Sequence, residues 1–521
     1  MSIYSGITPQ GYLIMVLASF GAILYGFDNG WWSTVLGETT FLCDYGAKVT
    51  TGGILKCNLS TPQQSAGTGV GPAGIVLGCL ISIYVNDYFG RKQGLNITAM
   101  VSMVGIIIEM TSAAGSKPRY GQFVAGKVMN SIGMGLTANI VPIYLSETST
   151  SSARGSVINM YQTVQIIGAV VAGGVVYAVS TRTDRSAYLI PMGLQAIAPG
   201  LMLLSSPFLP ESPRWLVWKG RKDEAIKATS KLFVTPTNQF DAVDYCDKLE
   251  VAYEEEKRSA ESTGWLDLIR QPDLRRLLIA IGVQSLQHAQ GSSYMTAYIV
   301  SFLIGTGVTN YYPIVMALNC VYLVACGTGY LLPDVFGRRH LLLTPSAICG
   351  ACLITVAALV TAYPTPPPAV QKASIGLIFI WYFFFGVQGP AVWMVTAESA
   401  PARNREKVLG MATFFGFGVS LIINFVAPYI QNKGYGNLGS KIGFIWGTFS
   451  LLMVLYTYFW VPEYKGHSLE QIDYLFGQGI PARKFGTYHF TDNVLATAGD
   501  VEDAKGAEAA VQVDEVDESK R

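Results

Sequence analysis

Two oppositely charged side chains sit where charge is costly. Asp28, in Gly26-Phe27-Asp28, and Lys127 each interrupt a long apolar stretch. If such a stretch crosses a bilayer, a central carboxylate costs about 2.5–3.5 kcal/mol on insertion scales, so it needs a partner or a task. One task is structural, an ion pair that locks two helices. The other is chemical. Desolvation favours the protonated carboxyl and a neighbouring cation favours the carboxylate, so a carboxyl that moves between those surroundings loads and releases a proton. Lys127 is the expected partner of Asp28. As a lysine it can itself lose a proton when buried, which arginine does not. Glu109 is a second acid in an apolar stretch and is expected near its outer end, in reach of water.

A second constellation occurs twice. Asp87-Tyr88-Phe89-Gly90-Arg91-Lys92 is matched by Asp334-Val335-Phe336-Gly337-Arg338-Arg339. The glycine permits a turn that a side chain would obstruct. The acid stands at a helix end, where it caps the helix or pairs with an arginine. Downstream of each turn, Glu147 precedes Arg154-Gly155 and Glu398 precedes Arg405 at the same spacing. A charged turn on its own is membrane anchoring. A pair in register points to a duplicated unit, and repeats related in this way place a substrate site between the halves near the membrane midplane.

The elements that carry these residues are long apolar helices. Half of the 521 residues are hydrophobic and 14% are charged, against roughly 25% charged in an ordinary soluble domain. A bilayer core takes about 20 helical residues with every backbone group satisfied internally. Runs of that kind are expected at 12–36, 66–86, 93–115, 120–143, 158–180 and 188–209. Six more follow at 277–303, 311–333, 341–363, 373–397, 408–430 and 441–461. The fold class is therefore an all-α membrane protein of twelve spans in two pseudo-symmetric halves. The divisions are an N-terminal half (1–210), a linker with short helices (211–276), a C-terminal half (277–477) and an acidic tail expected to be disordered (478–521). The first apolar run is too long for a cleaved signal peptide and is expected to remain.

The turns bearing Arg91, Lys92, Arg154, Arg338, Arg339, Arg403, Arg405 and Lys407 fall on one side if both termini are cytoplasmic. The loop 37–65 then faces outward. It holds Cys43 and Cys57, a plausible disulfide, and the sequon Asn58-Leu59-Ser60. Cys349 and Cys352 read as small apolar core residues. A net charge of +1 offers nothing to nucleic acid. No nucleotide-binding glycine motif and no nucleophile–base spacing is seen, so neither an enzyme nor a cofactor or metal site is expected. His467 and His489 are expected in solvent.

At this point the motifs resemble a known family. Gly26-Phe27-Asp28, the two Asp-x-x-Gly-Arg turns and Pro142-x-Tyr144-x-x-Glu147 are joined by Pro210-Glu211-Ser212-Pro213-Arg214-Trp215-Leu216. Gly389-Pro390-x-x-Trp393 and Pro462-Glu463-x-Lys465-Gly466 complete the set. In order and in place, to about Phe485, they resemble the sugar porters of the major facilitator superfamily. Val283 to Tyr298 and Gly479 to Phe485 are similar to fungal α-glucoside (maltose-type) proton symporters. The resemblance implies sugar:proton symport by alternating access, with Asp28 and Lys127 as the proton pair, although arginine is usual at 127. It implies substrate contacts from Gln162, Gln287, His288, Trp393 and Asn424, with Ser293 where many hexose carriers have Asn. Glutamine is usual at 288, and Phe385 stands where some relatives have Glu. Tyr298 and Ser420 are further candidates. It also implies a cytoplasmic gate of ion pairs between the halves from Asp87, Gly90, Arg91, Glu147, Arg154, Asp334, Gly337, Arg338, Glu398 and Arg405. The implied partners are a small sugar, protons and the lipid bilayer, with the carrier acting as a plasma-membrane monomer. A facilitator without proton coupling and a sugar sensor remain as alternatives.

Overall fold

The computed structural model describes residues 8–488, apart from 52–53, 116, 150–153, 235–239, 263–267, 309, 330–331, 402–403 and 468. The chain is almost wholly helical. Among the described residues, nine helices are long and apolar enough to cross a membrane. The expected spans 66–86 and 93–115 lie in one of these, α4 (Thr61–Ser112), which bends at Gly90. The expected span 311–333 is the shorter helix α14 (Tyr312–Thr328). The expected span 277–303 is interrupted: α12 (Asp273–Gln287) passes through a π-helical segment, His288–Ser292, into α13 (Ser293–Gly305).

In the first half, α1 (Pro9–Ala18) and α2 (Phe20–Val35) form the entering span. α5 (Tyr120–Glu147), α6 (Arg154–Val179), α7 (Ser186–Leu194) and α8 (Ile197–Ser205) follow α4. Glycines set the helix contacts. A Cβ on Gly126 of α5 would lie 2.6 Å from the Glu109 amide nitrogen, and one on Gly105 of α4 would lie 2.5 Å from that of Asn130. Close approach through small residues is how membrane helices gain packing without a hydrophobic driving force.

Between α2 and α4, the short α3 (Thr39–Tyr45) leads into strands β1 (Ala47–Thr51) and β2 (Ile54–Asn58), which pair antiparallel. The plausible disulfide is present between Cys43 and Cys57, and Asn58 is exposed. Phe41 and Tyr45 pack into an aromatic cluster with Trp31, Trp32, Phe123 and Tyr188.

The linker holds α9 (Pro213–Trp218), α10 (Lys222–Phe233) and α11 (Ala242–Ser262). The second half continues with α15 (Leu332–Phe336), α16 (Arg338–Ala362), α17 (Pro368–Ser399), α18 (Arg405–Gln431), α19 (Gly443–Trp460) and α20 (Leu469–Gly477). The start of the expected tail is ordered: residues Ala482–Thr487 form a 3-10 turn with Phe485 fully buried. His467, expected in solvent, is half-buried and its Nε2 lies 3.0 Å from the Phe485 carbonyl oxygen. His489 and the rest of the tail lie outside the described residues. Thr8 hydrogen bonds Leu232 of α10 at 3.1 Å, so the head of α1 sits beside the linker.

The two repeated turns are built alike. Gly90 has φ 83° and Gly337 has φ 85°, a region that disfavours side chains. A Cβ at Gly90 would lie 2.5 Å from Glu211 Oε2, and one at Gly337 would lie 2.5 Å from Glu463 Oε2. Gly90→Ala and Gly337→Ala should each cost about 1–3 kcal/mol, read as a lower melting temperature of the detergent-solubilised protein. An unchanged midpoint in either variant would show that its turn does not need the left-handed backbone.

Candidate functional site

The first half contains a buried polar cluster. Lys127 Nζ lies 3.2 Å from Asp28 Oδ2, with both side chains almost completely enclosed. Asn130 Nδ2 donates to Asp28 Oδ1 at 3.0 Å, and the Trp31 indole donates to the same oxygen at 3.4 Å. The ammonium also lies 4.6 Å from the Trp32 ring centre and 5.9 Å from that of Trp31, within cation–π range. Asn130 Nδ2 donates in addition to Gln195 Oε1 at 3.1 Å, and Gln195 Nε2 donates to Glu109 Oε2 at 3.3 Å. Glu109 is therefore a member of this cluster and is 0% exposed. The expectation that it reaches water is corrected. The α4–α5 glycine contact turns it inward beside Lys127.

In the second half the break in the seventh expected span organises the polar groups. Gly291 has φ 109° and Gln290 leaves the helical region, and Tyr298 is distorted as well. Single π-helical turns inside helices recur at functional sites. His288 Nδ1 lies 3.2 Å from Ser293 Oγ, and the His288 ring lies 5.4 Å from that of Phe417. The Ser292 hydroxyl donates to the Gln287 carbonyl oxygen at 2.9 Å. Tyr298 OH donates to the Asn424 carbonyl oxygen at 2.9 Å, and Asn424 Nδ2 lies 3.4 Å from Ser420 Oγ, leaving Asn424 Oδ1 buried without a partner. The structure thus joins His288 to Ser293 and Tyr298 to Asn424. Gln162 is half-buried on α6, and Trp393 on α17 is 44% exposed. A shallow apolar depression lined by Cys320, Val321, Val324 and Phe383 offers no oxygen or nitrogen to orient a sugar.

At the linker end, each repeated turn is held by the same three groups. Arg91 binds Glu147 in bidentate fashion at 2.8 Å through both Nε and Nη2. The backbone amides of Arg91 and Lys92 donate to Glu211 at 2.9 and 3.1 Å. In the second half, Arg338 binds Glu398 at 3.0 Å, and the amides of Arg338 and Arg339 donate to Glu463 at 2.9 and 3.1 Å. Burial raises the Glu211 carboxyl above its ordinary range, although the Ser212, Lys92 and Arg91 amides favour the charged form. These ion pairs lie within one half each. Asp87 is half-buried and its carbonyl accepts from the Trp215 indole at 3.3 Å. Arg405 is half-buried with its Nε unpartnered. The Arg154 and Asp334 side chains lie outside the described residues.

Hydrogen bonds between the halves are found at the disulfide end. The Ser65 hydroxyl donates to the Phe425 carbonyl oxygen at 2.6 Å, Asn432 Nδ2 to Gln64 Oε1 at 2.9 Å, and Tyr311 OH to the Gly37 carbonyl oxygen at 2.7 Å.

Glu211 and Glu463 belong to motifs visible in the sequence, but the amides they cap could not be assigned from spacing. Gln195 and Asn130 gave no signal, being ordinary amides in apolar runs. The same is true of the buried relay in which Gln290 donates to Gln388, and Gln388 to Ser346, at 2.8 Å each.

Two like halves, a buried ion pair in one and a broken helix in the other describe a multi-pass membrane carrier of the major facilitator type. The chain belongs to the family of sugar (and other) transporters, whose model matches residues 14–476. It is 30% identical to the major facilitator-type transporter ecdD of Aspergillus rugulosus, over 90% of this chain and 88% of that one. It is 29% identical to the high glucose sensor RGT2 of Saccharomyces cerevisiae, over 89% of this chain and 60% of that one. The inward open conformation of the xylose transporter XylE from E. coli superposes with a TM-score of 0.73 at 18% identity, over 89% of this chain and 99% of that one.

Removing one partner of a buried ion pair leaves an uncompensated charge, at about 3–5 kcal/mol. Lys127→Met should therefore destabilise the folded carrier by that order, while Asp28→Asn combined with Lys127→Met should cost less than Lys127→Met alone. Thermal unfolding of the variants in detergent checks this. Additive losses would mean that the two groups do not act as a pair.

Proposed function

We propose that this protein carries a sugar together with a proton, by alternating access, in the plasma membrane with both termini cytoplasmic. The observation that carries the reading is the enclosed Asp28–Lys127 pair within the first half, facing a second half whose seventh span is broken at His288–Ser292. A carboxylate kept at this depth against its insertion cost is the expected chemistry of a proton site. Twelve crossings follow if the two helices merged at Gly90 count separately and the broken and short helices also span. Cross-half contacts at the disulfide end fit a carrier open toward the linker.

Solved structures that share the fold include one titled a proton:xylose symporter, and relatives include the low-affinity glucose transporter HXT4 of Saccharomyces cerevisiae at 25% identity. These names favour a hexose. The stretch Val283 to Tyr298 favours an α-glucoside. His288, Ser293, Gln287, Gln162, Trp393 and Asn424 are the proposed sugar contacts, the repeated Arg–Glu turns the elements of the cytoplasmic gate, and Asn58 the glycan acceptor. The likeness to a glucose sensor supports a second reading, in which sugar binding signals without net transport.

Uptake of labelled glucose and maltose, with external pH recorded, tests both in yeast lacking its own carriers. Symport predicts that the accepted sugar accumulates while the medium turns alkaline, and that Asp28→Asn abolishes accumulation yet retains exchange of internal for external sugar. Uptake with no pH change would replace symport by facilitation. A surface-expressed protein that moves neither sugar would leave the sensor reading.

A further inference from the structure

The polar cluster of the first half holds two carboxyl groups and one ammonium. Asp28, Lys127, Asn130, Gln195 and Glu109 are all at most 2% exposed. Were both acids ionised, the enclosed cluster would carry an uncompensated negative charge, which is strongly unfavourable in a low-dielectric interior. The hydrogen bonds show which acid is served. Asp28 receives Lys127, Asn130 and the Trp31 indole. Glu109 receives one amide hydrogen from Gln195 on Oε2, and its Oε1 is buried with no partner. An oxygen left in that state suits a carboxylic acid better than a carboxylate. Asn130 and Gln195 bridge the two acids in a single amide chain.

We propose that Glu109 is a second proton-binding site of this carrier, occupied while Lys127 is paired with Asp28, so that one ammonium serves two carboxyl groups in turn. The proposal builds on the proton-coupled reading. When Asp28 takes a proton from water at the open end, Lys127 loses its carboxylate there and pairs with Glu109, which releases its own proton to water. The cluster is neutral before and after, with one proton bound and one released. Other groups face the site. Tyr45, from α3, lies 2.6 Å from the Ser112 hydroxyl, which in turn donates to the Glu109 carbonyl oxygen. Beyond it, Asp44 pairs with Arg185 at 3.0 Å and accepts from Tyr188 at 2.7 Å. The Asp44–Arg185 pair is self-neutralising and leaves Lys127 as the cation available to Glu109.

Infrared spectroscopy of the purified full chain at neutral pH tests this without a substrate. The expected result is a carbonyl-stretch band of a buried protonated carboxylic acid that shifts when glutamate, but not aspartate, carries carboxyl carbon-13. Glu109→Gln, which preserves shape and the bond to Gln195, should remove the band. Asp28→Asn, which mimics the protonated acid, should remove it too, because Lys127 then ionises Glu109. A missing band, a shift with labelled aspartate, or persistence of the band in either variant would overturn the proposal. The label shift is read on the unaltered protein, so it stands even if a variant fails to fold. The site and the transport reading fail separately. The band without sugar uptake keeps Glu109 and sinks symport, and uptake without the band does the reverse.

Discussion

The hydrocarbon around a membrane-spanning bundle supplies no water, so each charged or backbone group enclosed there must find its partner within the protein. That constraint reaches every level of this chain. It makes the spans helical and leaves few charges inside them. It makes glycine valuable where α4 meets α5, because only close backbones bring Lys127, Asn130 and Glu109 into one dry cluster. It also explains the break at Gly291. A distorted backbone at this depth survives only where its neighbours satisfy the freed groups, and here the Ser450 hydroxyl donates to the Gln290 carbonyl oxygen at 3.3 Å.

The same constraint relaxes at the linker end, and there the charges reappear in duplicate. Each half uses a left-handed glycine to turn, an arginine to grip the end of a neighbouring helix, and a glutamate after its last apolar helix to cap the amides beyond the glycine. In each half the guanidinium also reaches back five residues, from Arg91 to the Asn86 carbonyl oxygen and from Arg338 to that of Pro333. Bidentate arginine–carboxylate contacts fix geometry as well as charge. Each half is therefore stiffened as a unit at this end, while hydrogen bonds from Ser65, Asn432 and Tyr311 tie one half to the other at the disulfide end. Stiff halves joined at one face are the mechanical requirement for rocking about a central site.

Much of this was legible in the sequence because membrane helices announce themselves by length and the duplication by register. Asp28 and Lys127 stood out as charges in apolar runs, and the structure brings them together. The paired turns were visible, and in each the arginine holds a glutamate of a neighbouring helix in its own half. Spacing alone does not say whether a guanidinium turns to the next helix or to the other half. Glu109 was misplaced for a related reason. Its depth along a helix was readable, whereas the face it presents depends on Gly105 and Gly126 meeting α5. The disordered-tail reading took in Phe485, whose ring is buried against Phe476 with centres 5.0 Å apart. A few aromatics in a polar stretch, without helical spacing, are too weak a pattern to reveal a docked turn.

The two halves repeat in backbone and in their end turns, yet they differ in the chemistry of their interiors. The first half concentrates ionisable groups on α2, α4 and α5. The second lines its broken helix with hydrogen-bonding side chains, among them His288, Ser293, Gln290 and Gln388. An ammonium and two carboxyls would bind a neutral polyhydroxyl solute poorly unless they first gave up their mutual contacts, whereas amides and hydroxyls offer donors and acceptors with no charge to compensate. In the proposed cycle, the electrostatic event and the recognition event therefore occupy different halves. Their coupling has to pass through the faces along which one half meets the other, which include α4 against α18, α6 against α14 and α2 against α13. A proton that changes which acid holds Lys127 changes the packing of α2, and α2 is the helix that faces the broken one.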